Sequence, residues 1–388
     1  MQAQNFLILK WLVFFVVFAC LPFPHGNIYP FALLMAACLH STKKYQISYQ
    51  RVDWHLIAFL FWGGISVFWA NDVLMTLKIY AKVVFIMLGG VLWFIVYNQL
   101  DQEKKYIVKN IVFVASLLLL FSLLVFVINI KFGGSLFKVI APHVSPALVH
   151  ASIACSLAIW SNLFKLHKLV RSAILILAIF TLQFATSDAA ALGIFLGAAT
   201  LLMHKFLPNF LRFMFIYGMP IVWFFMPFTF CLFTVENYHQ WASSLDPSYT
   251  HRLFIWNSVV NQIFERFWTG FGFGSSRFKD FGLKAEEVLI TIGNNQQILD
   301  APVHPHNYML QIWLELGFIG VLLASLLWIV YWNKRYQKVD SYCIAFWASA
   351  LCVAVTSISV WQSWWLFLMV ILLPIYSFNN SNVNASRV

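Results

Sequence analysis

The chain has 388 residues, of which 61% are hydrophobic and only 10% are charged. Soluble domains carry roughly 25% charged residues, so this composition excludes an ordinary soluble protein and indicates an integral membrane protein. The net charge of +11 would suggest nucleic acid only if the cations clustered on one soluble face. They are scattered between apolar segments, and no nucleic-acid partner is expected.

Twelve apolar runs follow one another along the chain, most of them near the ~20 residues that cross a bilayer as a helix. Strict alternation, which would indicate a membrane β-barrel, is absent. The sequence therefore predicts an all-α polytopic membrane protein of about twelve transmembrane helices. The runs are 5–22, 28–41, 54–70, 74–98, 106–130, 139–163, 169–185, 187–206, 210–234, 306–332, 341–357 and 361–378.

The distribution of Lys and Arg predicts the orientation. With the N-terminus in the cytoplasm, most cations fall on the inner side, as the positive-inside rule requires. Both termini are then cytoplasmic, and the long polar segment 235–305 faces outward. We therefore predict three parts: helices 1–9 in 1–234, the outer loop in 235–305, and helices 10–12 with a cytoplasmic tail in 306–388.

Lys78 and Lys82 lie four residues apart, hence on one face of the fourth predicted helix. A charge within the bilayer is costly and usually marks a functional site or an internal pair. The two lysines are candidates for binding a lipid diphosphate. The alternative is that their side chains extend to the outer headgroups, which is easier for Lys78 than for the deeper Lys82.

Asp188 opens the eighth predicted helix. We favour an N-cap role for its carboxylate. It is also a candidate to orient a catalytic base or to pair with an outer cation.

The outer loop contains an amphipathic segment, 249–268, with Arg252 near its start. Its apolar residues recur at helical spacing: Leu253, Trp256, Val260 and Phe264. Arginine has a permanently charged planar fork that suits phosphate oxygens, so Arg252 is a candidate ligand. The alternative is a solvated loop residue.

A glycine run, Gly270-Phe271-Gly272-Phe273-Gly274, follows this segment and precedes Arg277. Gly272 and Gly274 would let backbone N–H groups approach an anion closely, and Arg277 could add charge. Without a Gly-Lys-Ser/Thr sequence or a βαβ context the run is not a nucleotide-binding loop. A plain loop is the alternative.

His304-Pro305-His306-Asn307 stands at the start of the tenth run. Proline suits the first turn of a helix, so we expect His306 in that turn, at the membrane surface. A neutral imidazole there can take a proton from a hydroxyl group at ordinary pH. The alternative is a histidine that only caps the helix.

These residues together resemble the O-antigen ligase family, within the superfamily that also contains O-antigen polymerases. The family pattern is His, then Asn, Ser or Gln, nine residues and Gly-x-x-Gly. His306-Asn307 followed by Gly317-Phe318-Ile319-Gly320 fits it without a gap. The upstream elements, Arg252-x-x-x-Trp256 and the glycine run, are also similar.

The resemblance implies a GT-C-like membrane glycosyltransferase of the bacterial inner membrane that needs no metal or other cofactor. Its donor would be a glycan on undecaprenyl diphosphate, and its acceptor a sugar hydroxyl of lipid A core at the periplasmic face, with inversion. His306 would be the general base and Arg252 would hold the diphosphate. Membrane lipids surround such an enzyme, while His304 and Asn307 would lie beside the substrates.

Family members often have Ser-Arg where this chain has Ser187-Asp188. The missing charge would then come from Lys82 and Lys78. Two other functions stay open: a polymerase that uses a second lipid-linked glycan as acceptor, and a transporter of a lipid or solute. Transporters commonly contain internal repeats, and none stands out here.

Overall fold

The computed structural model describes residues 3–18, 28–44, 53–131, 188–231, 247–277, 289–292, 295–298, 304–336 and 339–377. Within these ranges the chain is mainly helical. The helices are α1 (Ala3–Phe18), α2 (Ile28–Lys44), α3 (Trp54–Ile65), α4 (Val73–Gln99), α5 (Gln102–Lys131), α6 (Asp188–His204), α7 (Pro208–Cys231), α8 (Pro247–Glu265), α9 (Tyr308–Asn333), α10 (Ser341–Thr356) and α11 (Ser363–Ser377). A 3-10 turn, Ser66–Trp69, continues α3, and a π-helical turn, Met214–Gly218, lies within α7.

Each predicted apolar run that falls within the described ranges coincides with a helix. The runs 139–163 and 169–185, with His143 and His150, lie outside those ranges. Within the part of the chain that the structure describes, three helices are both long and apolar enough to cross a membrane: α4, α7 and α9. The count of twelve spans therefore stays a prediction, while the helical membrane class is clear.

The segment 235–305 contains one feature that was not predicted. It contains α8 and a 3-10 turn, Ser275–Arg277, but also an antiparallel pair of strands, β1 (Leu289–Ile292) and β2 (Asn295–Ile298). The amphipathic helix was predicted, whereas the strand pair was not. The sequence Leu-Ile-Thr-Ile of β1 is rich in β-branched residues, which favour an extended backbone.

Polar residues at helix starts account for several of the helix boundaries. Asp53, Asp72 and Asp340 each accept a backbone N–H near the start of α3, α4 and α10, respectively. Such caps satisfy donors that have no partner within the helix. Large apolar side chains on the outside, such as Phe68 at 83% exposure, suit contact with lipid.

Small residues bring the helices close together. On α4, Gly90 lies against Val370 of α11, where an added Cβ would come within 2.8 Å of that side chain. On α6, Gly193 lies against Ser349 of α10. Small residues at such contacts let apolar helices pack closely without a hydrophobic driving force from lipid. The packing places α9 beside α3, α7, α8 and α10.

Candidate functional site

The site is built around the turn that precedes α9. Asn307 is fully buried and caps this helix, its side-chain oxygen accepting the N–H groups of Met309 at 3.0 Å and Leu310 at 3.2 Å. The expectation that Pro305 and His306 occupy the first helical turn was wrong, because the cap is Asn307 and the helix begins at Tyr308. His306 therefore lies just outside the helix, on an irregular backbone.

His306 has a strained backbone. Its φ is 53°, a left-handed conformation that no other non-glycine residue adopts in the described part of the chain. Such a residue costs on the order of 1–3 kcal/mol and persists only where its surroundings fix it. Here the N–H of His306 donates to Nδ1 of His304 at 3.2 Å, and the two ring centroids are 4.2 Å apart.

One contact of the His306 ring indicates its tautomer. Nδ1 lies 3.2 Å from the backbone oxygen of Ser357. Because a carbonyl oxygen only accepts hydrogen bonds, the proton of a neutral His306 belongs on Nδ1. Nε2 then carries the lone pair, as a general base requires.

His304 is held neutral. Burial lowers its pKa to about 3, and the charge of a protonated His306 and that of Arg277 act in the same direction. A neutral ring leaves Nδ1 free of a proton, so it can accept the N–H of His306. His304 thus supports the conformation of its neighbour, a task that sequence reasoning did not assign to it.

Arg277 interacts electrostatically with both His304 and Lys82. The half-buried Lys82 ammonium is close enough to Arg277 for their charges to repel each other. Burial lowers the pKa of Arg277, while Glu315 opposes that effect. The Nε of Arg277 is buried and has no hydrogen-bond partner among the described residues. Arg277 therefore links Lys82 electrostatically with His304, which lies beside His306.

Lys78 differs from Lys82, although both are on α4. Its side chain is exposed, whereas that of Lys82 is half buried. The expected pair is therefore divided between the outside of the helix bundle and the neighbourhood of Arg277.

Arg252 lies in α8, which spans Pro247–Glu265 where the sequence predicted 249–268. The helix therefore starts two residues earlier and ends three residues earlier than predicted. The half-buried Arg252 is one helical turn before Trp256, on the same face. The Trp256 indole donates to the Pro305 oxygen at 2.9 Å. The face of α8 that carries Arg252 therefore contacts, through Trp256, the turn that carries His306.

Asp188 is the first residue of α6. This helix is antiparallel to α10, because Gly193 lies against Ser349 while His204 interacts electrostatically with Asp340 at the opposite end. By that register, the start of α6 lies level with the end of α10, next to Ser357. The backbone position of Asp188 is thus on the same end of the bundle as His306.

The glycine run docks into a break in α9. Gly317 has φ 63° and ψ −165°, so the continuous helix predicted over 306–332 was wrong. Carbonyl groups freed by the break accept N–H groups of the run: Phe271 donates to Leu314 at 2.9 Å and Gly272 to Glu315 at 2.8 Å. In return, Phe318 donates to the Phe267 oxygen at 2.8 Å.

This docking explains why both motifs contain glycine. An added Cβ at Gly270 would lie 2.5 Å from the Glu315 backbone, and one at Gly317 would lie 2.6 Å from the Gly270 nitrogen. The backbones are too close for any side chain. The two motifs are halves of one contact.

The glycine run donates a hydrogen bond to an anionic group of the protein itself, the Glu315 side chain. The Gly274 N–H donates to Glu315 at 2.6 Å, and the Gly272 N–H is used by the break in α9. The expectation that these two N–H groups face a substrate therefore needs correction, since both have partners within the chain.

Glu315 is the residue that sequence reasoning missed. It is fully buried and accepts hydrogen bonds from Gly274, Ser276, Gln311 and Trp361 at 2.5–2.8 Å. The signal that could have revealed Glu315 is a carboxylate within an apolar run, since such a group usually has a functional role or an internal partner.

Comparisons with known proteins agree with this architecture. A family model described as O-antigen ligase matches residues 173–325, which include the glycine run, the His306 turn and the break in α9. A Rickettsia conorii protein named "Putative polysaccharide ligase" is 27% identical over 347 residues, covering 84% of this chain and 80% of the relative.

Two further relatives with that name match over shorter stretches. The Rickettsia bellii protein is 31% identical over 197 residues, or 49% of this chain and 47% of the relative. The Rickettsia prowazekii protein is 34% identical over 139 residues, or 34% and 32%.

Fold and site together define a helical membrane protein with a histidine site at the start of a broken helix. The resemblance to the O-antigen ligase family, expected from the His306 motif, is confirmed by the family match over residues 173–325.

Proposed function

We propose that the chain is an O-antigen ligase-like glycosyltransferase. It moves a glycan from undecaprenyl diphosphate to a sugar hydroxyl of lipid A core, at the periplasmic face of the bacterial inner membrane. The observation that carries the proposal is the contact of His306 Nδ1 with the Ser357 oxygen, since it leaves Nε2 as the basic nitrogen. The family match supports the same class of reaction.

In the proposed reaction, His306 Nε2 removes the proton of the acceptor hydroxyl while its oxygen attacks the anomeric carbon of the glycan. The bond from that carbon to the diphosphate oxygen breaks on the opposite face, so the configuration inverts. Undecaprenyl diphosphate leaves with the bonding electron pair. The product is the extended lipid A core, and the proton on His306 passes to solvent.

Cations near His306 would stabilise the diphosphate as its charge increases. Arg277 and Lys82 are proposed for this role because the charge of Arg277 acts on His304, and Lys82 lies close enough to Arg277 to interact with it. Arg252 is proposed as a third ligand, since Trp256 on the same face of α8 contacts Pro305. Lys82 and Arg277 then supply charge that Ser-Arg gives at 187–188 in other family members.

Other sequence candidates receive different roles. Gly272 and Gly274 build the scaffold rather than bind substrate, and Asn307 caps α9. Asp188 is proposed to act from the start of α6, either on the base or on a cation. The twelve-span topology with both termini in the cytoplasm is part of this proposal, because it puts His306 on the donor's side of the membrane.

Purified protein with a glycan on undecaprenyl diphosphate tests the proposal, with lipid A core and a second lipid-linked glycan as separate acceptors. We expect lipid A core to be extended by the wild type and not by His306→Ala. Products that lengthen only on the lipid-linked acceptor would show a polymerase instead. A donor that crosses vesicle membranes without any covalent product would show a transporter.

A further inference from the structure

The turn between α10 and α11, residues 357–362, is held by two side chains of α9. Glu315 and Gln311 lie four residues apart, on one face of that helix, and both are fully buried. The turn itself contacts His306 through the Ser357 oxygen. Helix α9 thus has the His306 turn at its start and, farther along, the two side chains that hold the 357–362 turn. We call the hydrogen bonds of Glu315 and Gln311 to that turn the grip.

Glu315 makes the first part of the grip. Its Oε2 accepts the Trp361 indole N–H at 2.5 Å and the Gly274 N–H at 2.6 Å. Its Oε1 accepts from Ser276 at 2.6 Å and from Gln311 at 2.8 Å. Because all four partners donate, Glu315 acts as a carboxylate, and its negative charge acts on the nearby Arg277.

Gln311 makes the second part. Its Oε1 accepts the backbone N–H of Val360 at 3.0 Å, and an N–H can only donate, so this assigns the amide orientation. Its Nε2 donates to Ser276 at 3.1 Å and to Glu315. Every polar atom of the Gln311 side chain is therefore engaged within this network.

We infer that Gln311 and Glu315 are positioning residues, which hold the 357–362 turn so that Ser357 keeps the proton of His306 on Nδ1. Neither side chain needs to touch a substrate. The inference deepens the proposed function, since it rests on His306 as the base, and it adds the groups that prepare that base.

Loss of the grip has a defined chemical consequence. A carbonyl oxygen at Nδ1 stabilises the protonated ring more than the neutral ring, because a charged donor makes the stronger hydrogen bond. Without it His306 becomes a weaker base, and Nε2 holds the proton more often in the neutral state. Among the described residues, the other charged or titratable groups around this site are His304 beside His306 and Arg277 of the 3-10 turn Ser275–Arg277. Lys82 of α4 and Glu315 of α9 in turn interact electrostatically with Arg277.

A matched pair of variants tests the inference. Trp361→Phe removes the indole hydrogen bond to Glu315, which holds the 357–362 turn. Trp62→Phe removes an indole hydrogen bond from α3 to the Leu316 backbone oxygen of α9, which does not involve that turn. Gln311→Met removes the bond to Val360 with little change in side-chain volume. Folding of each full-length variant is checked by its elution profile and thermal unfolding in detergent.

The first readout needs no substrate. Diethyl pyrocarbonate acylates neutral imidazole, and peptide mass spectrometry gives the rate at His306 as a function of pH. We expect Trp361→Phe and Gln311→Met to move the midpoint of this curve to lower pH, with Trp62→Phe at the wild-type midpoint. Folded variants that all share the wild-type curve would overturn the inference.

The second readout is glycan transfer. We expect kcat to fall roughly tenfold or more in Trp361→Phe and Gln311→Met with KM nearly unchanged, as positioned bases contribute at least that much. Trp62→Phe should keep the wild-type kcat. A rise in KM alone would overturn the inference. If the wild type itself transfers no glycan, the proposed function fails, while the modification curves still decide the positioning role.

Discussion

The His304 ring accepts the backbone N–H of His306 at 3.2 Å, and the φ of His306 is 53°. Two histidines two residues apart therefore have different tasks. His304 fixes the backbone, and His306 presents its ring to the Ser357 oxygen. This division of tasks leads to the first prediction.

His304→Leu removes the acceptor of the His306 N–H, so the strained backbone should relax. We expect glycan transfer to fall at least about tenfold, because a small displacement of a catalytic group is costly. His304→Asn keeps a short acceptor and should retain more activity than His304→Leu. Initial rates of both purified variants, measured beside the wild type, check this. Equal rates for the two variants would argue against the backbone role.

Stability should depend on pH through His304. Burial lowers its pKa from 6.5 to about 3, so the unfolded chain takes up a proton below pH 6.5 that the folded chain does not. Stability from this group is therefore fully present above pH 6.5 and is lost as pH falls toward 3. Thermal unfolding between pH 7.5 and 5 should show this loss, and His304→Asn should reduce it. An equal slope in the variant would contradict the assignment.

Arg277→Gln and Lys82→Met should weaken the electrostatic stabilisation of the diphosphate. We expect each to lower kcat/KM by roughly 10- to 100-fold, the range for one or two charge-assisted contacts in a transition state. Lys78→Met, one turn away on the exposed side of α4, should have a smaller effect. Steady-state kinetics of the three variants test this order. A larger loss in Lys78→Met would reverse our ranking of the two lysines.

The break in α9 should not tolerate a side chain. Gly317→Ala places a Cβ 2.6 Å from the Gly270 nitrogen and in a backbone conformation that glycine alone adopts readily. We expect destabilisation of at least about 1–3 kcal/mol, seen as a lower midpoint of thermal unfolding. Gly63→Ala is a milder comparison, since its Cβ would lie 3.2 Å from a Phe273 ring atom. Equal midpoints for both variants would contradict the docking.

Hydropathy and motif spacing predicted the helices of the described residues, the amphipathic helix α8 and a histidine next to the start of α9. They did not predict the break at Gly317, because an apolar run has no polar signal where its backbone changes direction. The break depends on hydrogen bonds from the glycine run, whose Phe271 and Gly272 are more than forty residues away in the chain. Such contacts exist only after folding.

Glu315 was overlooked for a related reason. Its carboxylate was one charge within an apolar run, and the donors that make it acceptable there come from three separate segments. Asn307 was predicted to lie beside the substrates because it is part of the motif, and its cap of α9 became visible only in the structure. In both cases the residue type was informative, and only the partners define the role.

Chemical rescue of a His306 variant tests the central claim most directly. His306→Ala should bind the lipid-linked donor but transfer its glycan roughly 10²- to 10⁴-fold more slowly, as expected for loss of a general base. Added imidazole should restore part of that rate in His306→Ala, rising with the concentration of the neutral form, and should leave Arg277→Gln unchanged. Transfer by folded His306→Ala at the wild-type rate would contradict the account.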